Sequence, residues 1–342
     1  MIPESHWRPL IAALQAANLQ AWHDDRLIVR RISGGANNAL YRVDIDGRSL
    51  ACKLCVNDDR RRAAREFHTM CLLHKAGLDI APSPLSLDET CRVIPFPVVT
   101  YEWLEGESMR PPFTEQQFSA VLDRIGCLLE LRPSDFPEFE LPDTVFHWFD
   151  FRLYVDEQRR FLADYGPWLV AHEPDGRASL DRLTRLVARC AEEVRATRVD
   201  PGRARVPLRL CRADWNLANA IACDDGHLRW VDWEYAGWGD PALELSDLRW
   251  HASLADWGDD RHAWLRENVR RPPDDDGFEA RLRVWDHILS ARWPFLILRR
   301  LWSQFNGPDR LRLTQSTADV DELRGRLALF IERAERVGEA AR

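Results

Sequence analysis

Residues 210–240, LCRADWNLANAIACDDGHLRWVDWEYAGWGD, constrain the fold more tightly than any other stretch of the chain. Asp214 is followed by Asn219, then by the apolar residues Ala220 and Ile221. A polar Asp224-Asp225-Gly226 turn comes next, then Leu228, Trp230 and Val231, and finally Asp232 and Glu234. Two apolar runs around an Asp-Gly turn read as an antiparallel hairpin. Closing that hairpin brings Asp232 back beside Asn219. The result is one isolated carboxylate and one amide–carboxylate group. Phosphoryl transfer needs such parts: a carboxylate to orient a hydroxyl, and oxygen ligands to hold Mg²⁺ on nucleotide phosphates. Mg²⁺ takes one or two protein carboxylates, so the set is large enough. Taken singly, each residue is also a common turn or cap former.

The rest of the chain bounds the setting. At 342 residues the chain is long enough for about two domains, each with its own core. With 45% hydrophobic and 30% charged residues it has the composition of a soluble globular protein. No apolar run long enough to span a membrane is present, and the first residues read as an amphipathic helix, not a signal peptide. A net charge of −8 argues against nucleic-acid binding and suits a cationic substrate. The eight cysteines are scattered, which fits a reduced, cytoplasmic setting. Only Cys52 and Cys55 have a C-x-x-C spacing, and strand alternation accounts for that pair better than redox chemistry does.

From the N-terminus, a helix is expected near residues 4–21, then strands near 27–31, 40–45 and 49–56. The small-residue loop Ser33-Gly34-Gly35-Ala36-Asn37-Asn38 lies between the first two strands. Its backbone can approach phosphate oxygens closely, and it can equally be an ordinary hairpin turn. Lys53 stands on the third strand, opposite in side to Cys52 and Leu54. Residues 58–76 read as a helix, with two Asp residues at its positive end and Gly77 as a stop. On that helix Glu66 falls on the packing stripe with Ala63, Phe67 and Met70, so it needs a partner. Lys53 and the neighbouring Arg62 or Arg65 are the candidates. Arg60, Arg61, Arg62 and Arg65 read as a solvated basic face. Residues 98–107 form a strand running into a glycine turn, and the Pro111-Pro112 pair marks a passage to a mostly helical second half. Helices are expected near 114–130, 179–196, 242–255, 259–268, 277–304 and 317–337. No internal repeat or low-complexity tract is present.

The catalytic stretch resembles the aminoglycoside phosphotransferase and choline/thiamine kinase family, whose pattern is His-Gly-Asp, an Asn, then Ile-Asp-Trp/Phe-Glu. Here it reads Arg212-Ala213-Asp214, Asn219 and Val231-Asp232-Trp233-Glu234, followed by Gly239-Asp240-Pro241-Ala242. Arg212 and Ala213 depart from the pattern. Arg212 is expected to meet Asp232 or a backbone carbonyl. The resemblance implies an α+β, two-lobed, protein-kinase-like fold. Residues 1–107 would form a β-rich nucleotide lobe with its hinge, and 108–342 a helical lobe with the catalytic loop. It implies Asp214 as catalytic base and Asn219, Asp232 and Glu234 as metal ligands. Ser33, Gly34, Gly35 and Asn37 would lie over the phosphates, which Lys53, paired with Glu66, would contact; Ala51 would touch adenine. The backbone of Glu102, Trp103 and Leu104 would hold adenine. The cofactor would be Mg²⁺, with ATP or GTP as donor.

The acceptor is expected to be a small, amine-bearing alcohol of the choline or thiamine kind. Trp215, Trp233, Trp238 and Asp240 are the candidate contacts, because aromatic faces beside carboxylates suit an ammonium. Tryptophans filling the core are the competing reading. An antibiotic acceptor and an inactive nucleotide-binding protein are the alternatives. A monomer or homodimer without nucleic-acid or membrane partners is expected. Protein-kinase activity is disfavoured, since the second half lacks Asp-Phe-Gly and Ala-Pro-Glu landmarks.

Overall fold

The computed structural model describes residues 4–32, 37–146, 149–197, 202, 205–255, 258–269, 271–307, 313 and 319–337. Helix α1 (Glu4–Ala17) buries Trp7, Ile11 and Leu14, a single stripe at helical spacing. It ends earlier than expected because Asn18 turns left-handed, at φ 52°. Six antiparallel strands follow: β1 (Ala21–His23), β2 (Leu27–Ile32), β3 (Ala39–Ile45), β4 (Arg48–Leu54), β5 (Pro84–Asp88) and β6 (Val98–Glu102), in the order β1-β2-β3-β4-β6-β5. β3 shows the alternation of a one-sided strand, with Ala39, Tyr41, Val43 and Ile45 buried. Asp46 and Gly47, both at positive φ, form the tight turn into β4. The edge strands β1 and β5 carry little sequence signal; one is three residues long and the other opens on proline, a residue suited to edges.

Helix α2 (Arg62–Lys75) crosses between β4 and β5. The expected start at residue 58 is displaced, because Arg61 is left-handed at φ 48°. Asp58 does not enter the helix and instead accepts from Arg60 N–H and from the Arg62 guanidinium.

The chain leaves the large sheet after β6 and enters the second region at β7 (Gly106–Ser108). There β7 pairs with β9 (Ala220–Cys223), which pairs in turn with β10 (Leu228–Trp230). Gly106 is required at this crossing: φ is 146°, and a Cβ would sit 2.3 Å from the Ala222 carbonyl oxygen. A two-stranded ribbon of β8 (Arg209–Cys211) and β11 (Gly237–Gly239) completes the sheets. The remainder is helical: α3 (Glu115–Glu130), α4 (Phe151–His172), α5 (Gly176–Ala196), α6 (Pro241–Trp250), α7 (Asp259–Asn268), α8 (Phe278–Asn306) and α9 (Val320–Arg336). Thr114 and Gln117 form a capping box at the start of α3. Helix α8 packs against α4, α5, α6 and α9 and is the axis of the helical region. Leu313 returns to the N-terminal sheet, where its N–H donates to the Asn37 carbonyl (2.7 Å) and its carbonyl accepts from Gln15 and Arg31. The chain is thus α+β, a β-sheet region followed by a helical one. All eight cysteines are free, Cys52 and Cys55 among them. Among the described residues no helix is long and apolar enough to cross a membrane.

Candidate active site

The catalytic stretch hangs between β8 and the β9–β10 hairpin, and α6 holds it from behind. Glu244 on α6 accepts from Arg212 N–H (2.9 Å), Ala213 N–H (2.8 Å) and the Trp215 indole (2.8 Å). Asp247, one turn on, accepts from Trp215 N–H (2.8 Å). Ala213 sits at φ 59°, a left-handed conformation that glycine adopts more cheaply. Arg212 is fully buried and donates to the Asp214 carbonyl (2.8 Å) and the Val231 carbonyl (2.8 Å). Its guanidinium also lies 4.7 Å from the Trp233 ring centre. Of its expected partners it takes backbone carbonyls, and it ties the loop to the far end of the hairpin.

Asp214 points into a cavity with a quarter of its side chain exposed (25%). Its Oδ1 lies 3.2 Å from His251 Nε2 and also accepts from Asn216 N–H. His251 Nδ1 accepts from Ser253 N–H (3.1 Å), which leaves the Nε2 proton directed at Asp214. Burial raises the Asp214 carboxyl, yet the His251 hydrogen bond, the Arg212 charge and Asn216 N–H outweigh it. The net effect holds the group below its usual range, as an anion. His251 is absent from the sequence reading. It is a lone histidine at the end of α6, and only the packing of α6 on the loop brings it to Asp214.

A second centre surrounds Lys53 on β4. Its ammonium donates to Glu66 Oε2 (2.5 Å) and Asp232 Oδ1 (2.6 Å), with Glu234 Oε2 at 3.5 Å. The expected choice between Lys53 and the helix arginines for Glu66 goes to Lys53. Burial disfavours the ammonium, but Asp232, Glu66 and Glu234 outweigh that and hold Lys53 charged, well above its ordinary pKa. Burial, helped by the Asp232 charge and opposed by Lys53, pushes Glu66 up to about 7. The oxygens of Glu66, Asp232 and Glu234 lie within 4.8 Å of one another, a spacing compatible with a metal. Lys53 already occupies that cluster as its counter-ion.

The donor set nevertheless fits Mg²⁺ at its edge. Asp232, left-handed at φ 67° and 35% exposed in its side chain, gives only Oδ1 to Lys53. The Asn219 backbone carbonyl accepts from Val231 N–H (3.0 Å), which closes the hairpin and returns the chain so that Asp232 follows directly on the residue paired with Asn219. An amide and a carboxylate oxygen suit a hard cation that keeps several waters. Glu234 differs from the metal ligand expected: it is 4% exposed and both its oxygens are engaged. Arg62 donates to Oε1 (2.6 Å) and Asn38 to Oε2. Arg62 and Arg65 are likewise not a solvated face. Arg65 is buried and donates to the Asp143 and Ala236 carbonyls at 2.6 and 2.7 Å. Helix α2 is enclosed on that side; of the four arginines only Arg61 is exposed, and Arg60 is half-buried over Tyr235.

Of the remaining expected residues, Ser33, Gly34 and Gly35 lie outside the described residues. Asn37 lines the cavity of Asp214. Glu102, Trp103 and Leu104 lie at the end of β6, where Glu102 N–H donates to Ser83 and Trp103 N–H to Ser49. The four expected acceptor contacts are corrected. Trp215, Trp233, Trp238 and Asp240 are 1%, 1%, 4% and 2% exposed. The Trp233 indole donates to the Trp230 carbonyl (2.7 Å), and Trp238 is held in the β11 ribbon. Asp240 caps α6 and accepts from Arg281 and Trp285, both at 2.9 Å. They fill and brace the core, where a ligand does not reach.

The cavity itself measures about 560 Å³ and is walled by Asp214, His251, Tyr235, Arg60, Arg292 and Trp293, among others. Its lower wall is a stripe of α8, and the Trp293 ring meets His251 edge-on at 5.0 Å.

Known proteins share this fold. A spectinomycin phosphotransferase, solved with ADP and spectinomycin, superposes with a TM-score of 0.63 at 14% identity over 96% of this chain and 97% of that one. A choline/ethanolamine kinase family protein from Mesorhizobium loti gives 0.57 at 17% identity over 90% and 87%. A choline kinase from Streptococcus pneumoniae gives 0.56 at 13% identity over 96% and 99%. At such identities these likenesses show the protein-kinase-like fold. A search of curated proteins found no match. The model of the phosphotransferase enzyme family matches residues 28–291, which takes in both the Lys53 centre and the Asp214 loop. The chain therefore belongs to the phosphotransferase enzyme family, as a kinase-like enzyme that phosphorylates hydroxyl groups of small molecules.

Proposed function

We propose that Asp214 is the base of a transfer from ATP or GTP to a small-molecule hydroxyl, with nucleotide bound by the part of the chain up to residue 107. The observation that carries this reading is Asp214 itself, an ionised carboxylate held by His251 and opening into the cavity. Its Oδ1 is taken by His251 and Asn216, so Oδ2 is the oxygen available to an acceptor hydroxyl. The hydroxyl oxygen attacks the γ-phosphorus, the bond to the nucleoside diphosphate breaks, and the hydroxyl proton passes to Asp214. Lys53, held charged by three carboxylates, binds donor phosphate oxygens. Of Glu102, Trp103 and Leu104, the first two have given their N–H groups to Ser83 and Ser49, so Leu104 N–H is the backbone donor offered to the nucleotide base. Asn219 and Asp232 are the residues that would hold Mg²⁺, which when bound neutralises charge on the phosphate oxygens. Arg212 supports an active loop, since it braces the Asp214 and Val231 carbonyls without touching the Asp214 carboxylate.

The test is consumption of ATP and GTP with Mg²⁺ across choline, thiamine, aminoglycosides and related amino alcohols, beside Asp214→Asn. Turnover with one acceptor is expected to fall roughly a hundred- to ten-thousandfold in the variant. Nucleotide affinity should stay within about threefold, because Lys53 and Asp232 are untouched. Unchanged turnover in the variant would remove Asp214 from the chemistry. The ring-and-carboxylate argument for an amine has lost its residues to the core, and the cavity wall supports a different acceptor chemistry.

A further inference from the structure

We infer that the cavity of Asp214 binds an oxyanion, a carboxylate or phosphate group carried by the acceptor. The word acceptor rests on the phosphotransferase reading above; the anion site rests on the cavity wall alone. Arg292, Leu296 and Arg299 stand at i, i+4 and i+7 on α8, so they share one face, and all three line the cavity. Arg60 reaches the same cavity from the segment before α2.

The state of the Arg292 and Arg60 guanidiniums is what points to a ligand. Arg292 lies over the Phe146 ring at 4.6 Å and makes no hydrogen bond or ion pair among the described residues. Arg60 lies over Tyr235 at 5.3 Å, donates to its hydroxyl (3.2 Å), and has no ion pair among the described residues. A guanidinium stacked on a ring keeps the N–H groups of its plane directed outward, in the fork that matches a carboxylate or phosphate.

The carboxylates of the same cavity form no ion pair with Arg60 or Arg292. Asp58 is taken by two bonds from Arg62, at 3.0 and 2.8 Å. Asp214 gives Oδ1 to His251 and keeps Oδ2 toward the acceptor hydroxyl, and Asp247 accepts from Trp215 N–H; neither pairs with Arg60 or Arg292. Asp247 feels the charge of Arg292 without pairing with it, and burial raises its carboxyl. Asp59 is left, exposed at the rim. A cationic acceptor entering here meets two guanidiniums that have no ion pair of their own among the described residues. An anionic one receives a fork from each.

The experiment is isothermal titration of the full chain, without nucleotide, with D-glycerate and with glycerol 3-phosphate, against glycerol and choline. The expected result is binding of one or both anions and weaker or no binding of the neutral and cationic probes. Which anion binds more tightly separates carboxylate from phosphate. Arg292→Gln and Arg60→Gln should each weaken the anion about tenfold or more. Arg292→Lys, which keeps the charge and the packing stem, should recover part of the loss. Choline or glycerol binding as tightly as both anions overturns the inference, and so does anion binding that Arg292→Gln leaves unchanged. A parallel titration with the Mg²⁺ complex of AMP-PNP judges the phosphotransferase reading by itself. Its failure beside retained anion binding would discard the kinase chemistry and keep the anion site.

Discussion

The molecule holds two buried carboxylate centres that solve the same problem in opposite ways. Around Lys53, Glu66, Asp232 and Glu234 are balanced by charge: one ammonium serves all three, and Arg62 adds a second cation to Glu234. Around the catalytic loop, Glu244 and Asp247 are served by neutral donors, the backbone N–H groups of Arg212, Ala213 and Trp215 and one indole. Only Asp214 there has a titratable partner, His251. A charge-balanced centre collapses when its cation is removed, because the remaining ions are buried without compensation. A centre held by neutral N–H donors loses position before it loses stability. The first suits a grip on phosphates, and the second suits the aiming of a single oxygen.

Lys53→Met tests the charge-balanced side and should have the largest effect. Removing the ammonium leaves Glu66 and Glu234 buried, at a cost of about 3–5 kcal/mol. The loss should be greater at pH 8 than at pH 5. Glu66 already sits near 7, so at pH 5 it is protonated and leaves no orphan charge. Urea denaturation at the two pH values measures this. An equal loss at both would mean that the cluster is not held together by charge. Adding Glu66→Gln should restore part of the stability at pH 8.

His251→Ala tests the aiming side. The fold should hold, since among the described carboxylates His251 bonds only to Asp214, while kcat falls roughly tenfold, the worth of one hydrogen bond to a charged group. Without the His251 proton the burial of Asp214 is less opposed, so its carboxyl rises. The acid limb of the pH–rate profile should move to higher pH. A stability loss as large as that of Lys53→Met would erase the contrast between the two centres.

The same contrast explains what the sequence makes readable. The Lys53 centre and the hairpin are built from local patterns. Alternation puts Lys53 on one side of β4, helical spacing puts Glu66 on the packing stripe, and the Asp225-Gly226 turn fixes the return of Asp232 toward Asn219. The acceptor side is assembled by tertiary packing. Every residue of α6 is buried, so no face of it carries a signal, and His251 at its end looks like any helix-terminal histidine. Tryptophans and carboxylates adjacent in sequence suggested an ammonium site. Adjacency does not tell inside from outside, and in the structure each of those groups satisfies another within the core. Arg62 and Arg65 looked solvated because basic runs usually are, and only the enclosure of α2 shows them paired. Arg292 lies on a long helix whose cavity-facing stripe cannot be distinguished from its packing faces by period alone.

Glu244→Gln is the smallest and finest test, because it weighs burial against N–H donors on one group. Burial raises Glu244 to about 7, while its bonds from Arg212, Ala213 and Trp215 pull the other way. The usual glutamate value is 4.5, so between roughly 4.5 and 7 the folded form keeps a proton that the unfolded chain releases. Stability from this group is then fullest below 4.5 and declines as pH rises to about 7. Gln cannot titrate, and its NH₂ opposes one of the three donors, so the variant is less stable throughout. Its deficit should be largest near pH 5 and shrink by on the order of 1 kcal/mol at pH 8, as the wild type loses its proton. Urea midpoints across that range read the difference directly, with His287 and Glu66 titrating alike in both proteins. A deficit that grows with pH would mean that the three N–H donors win over burial. Glu244 would then be a carboxylate anchor held by charge, and the loop behind Asp214 would resemble the Lys53 centre after all.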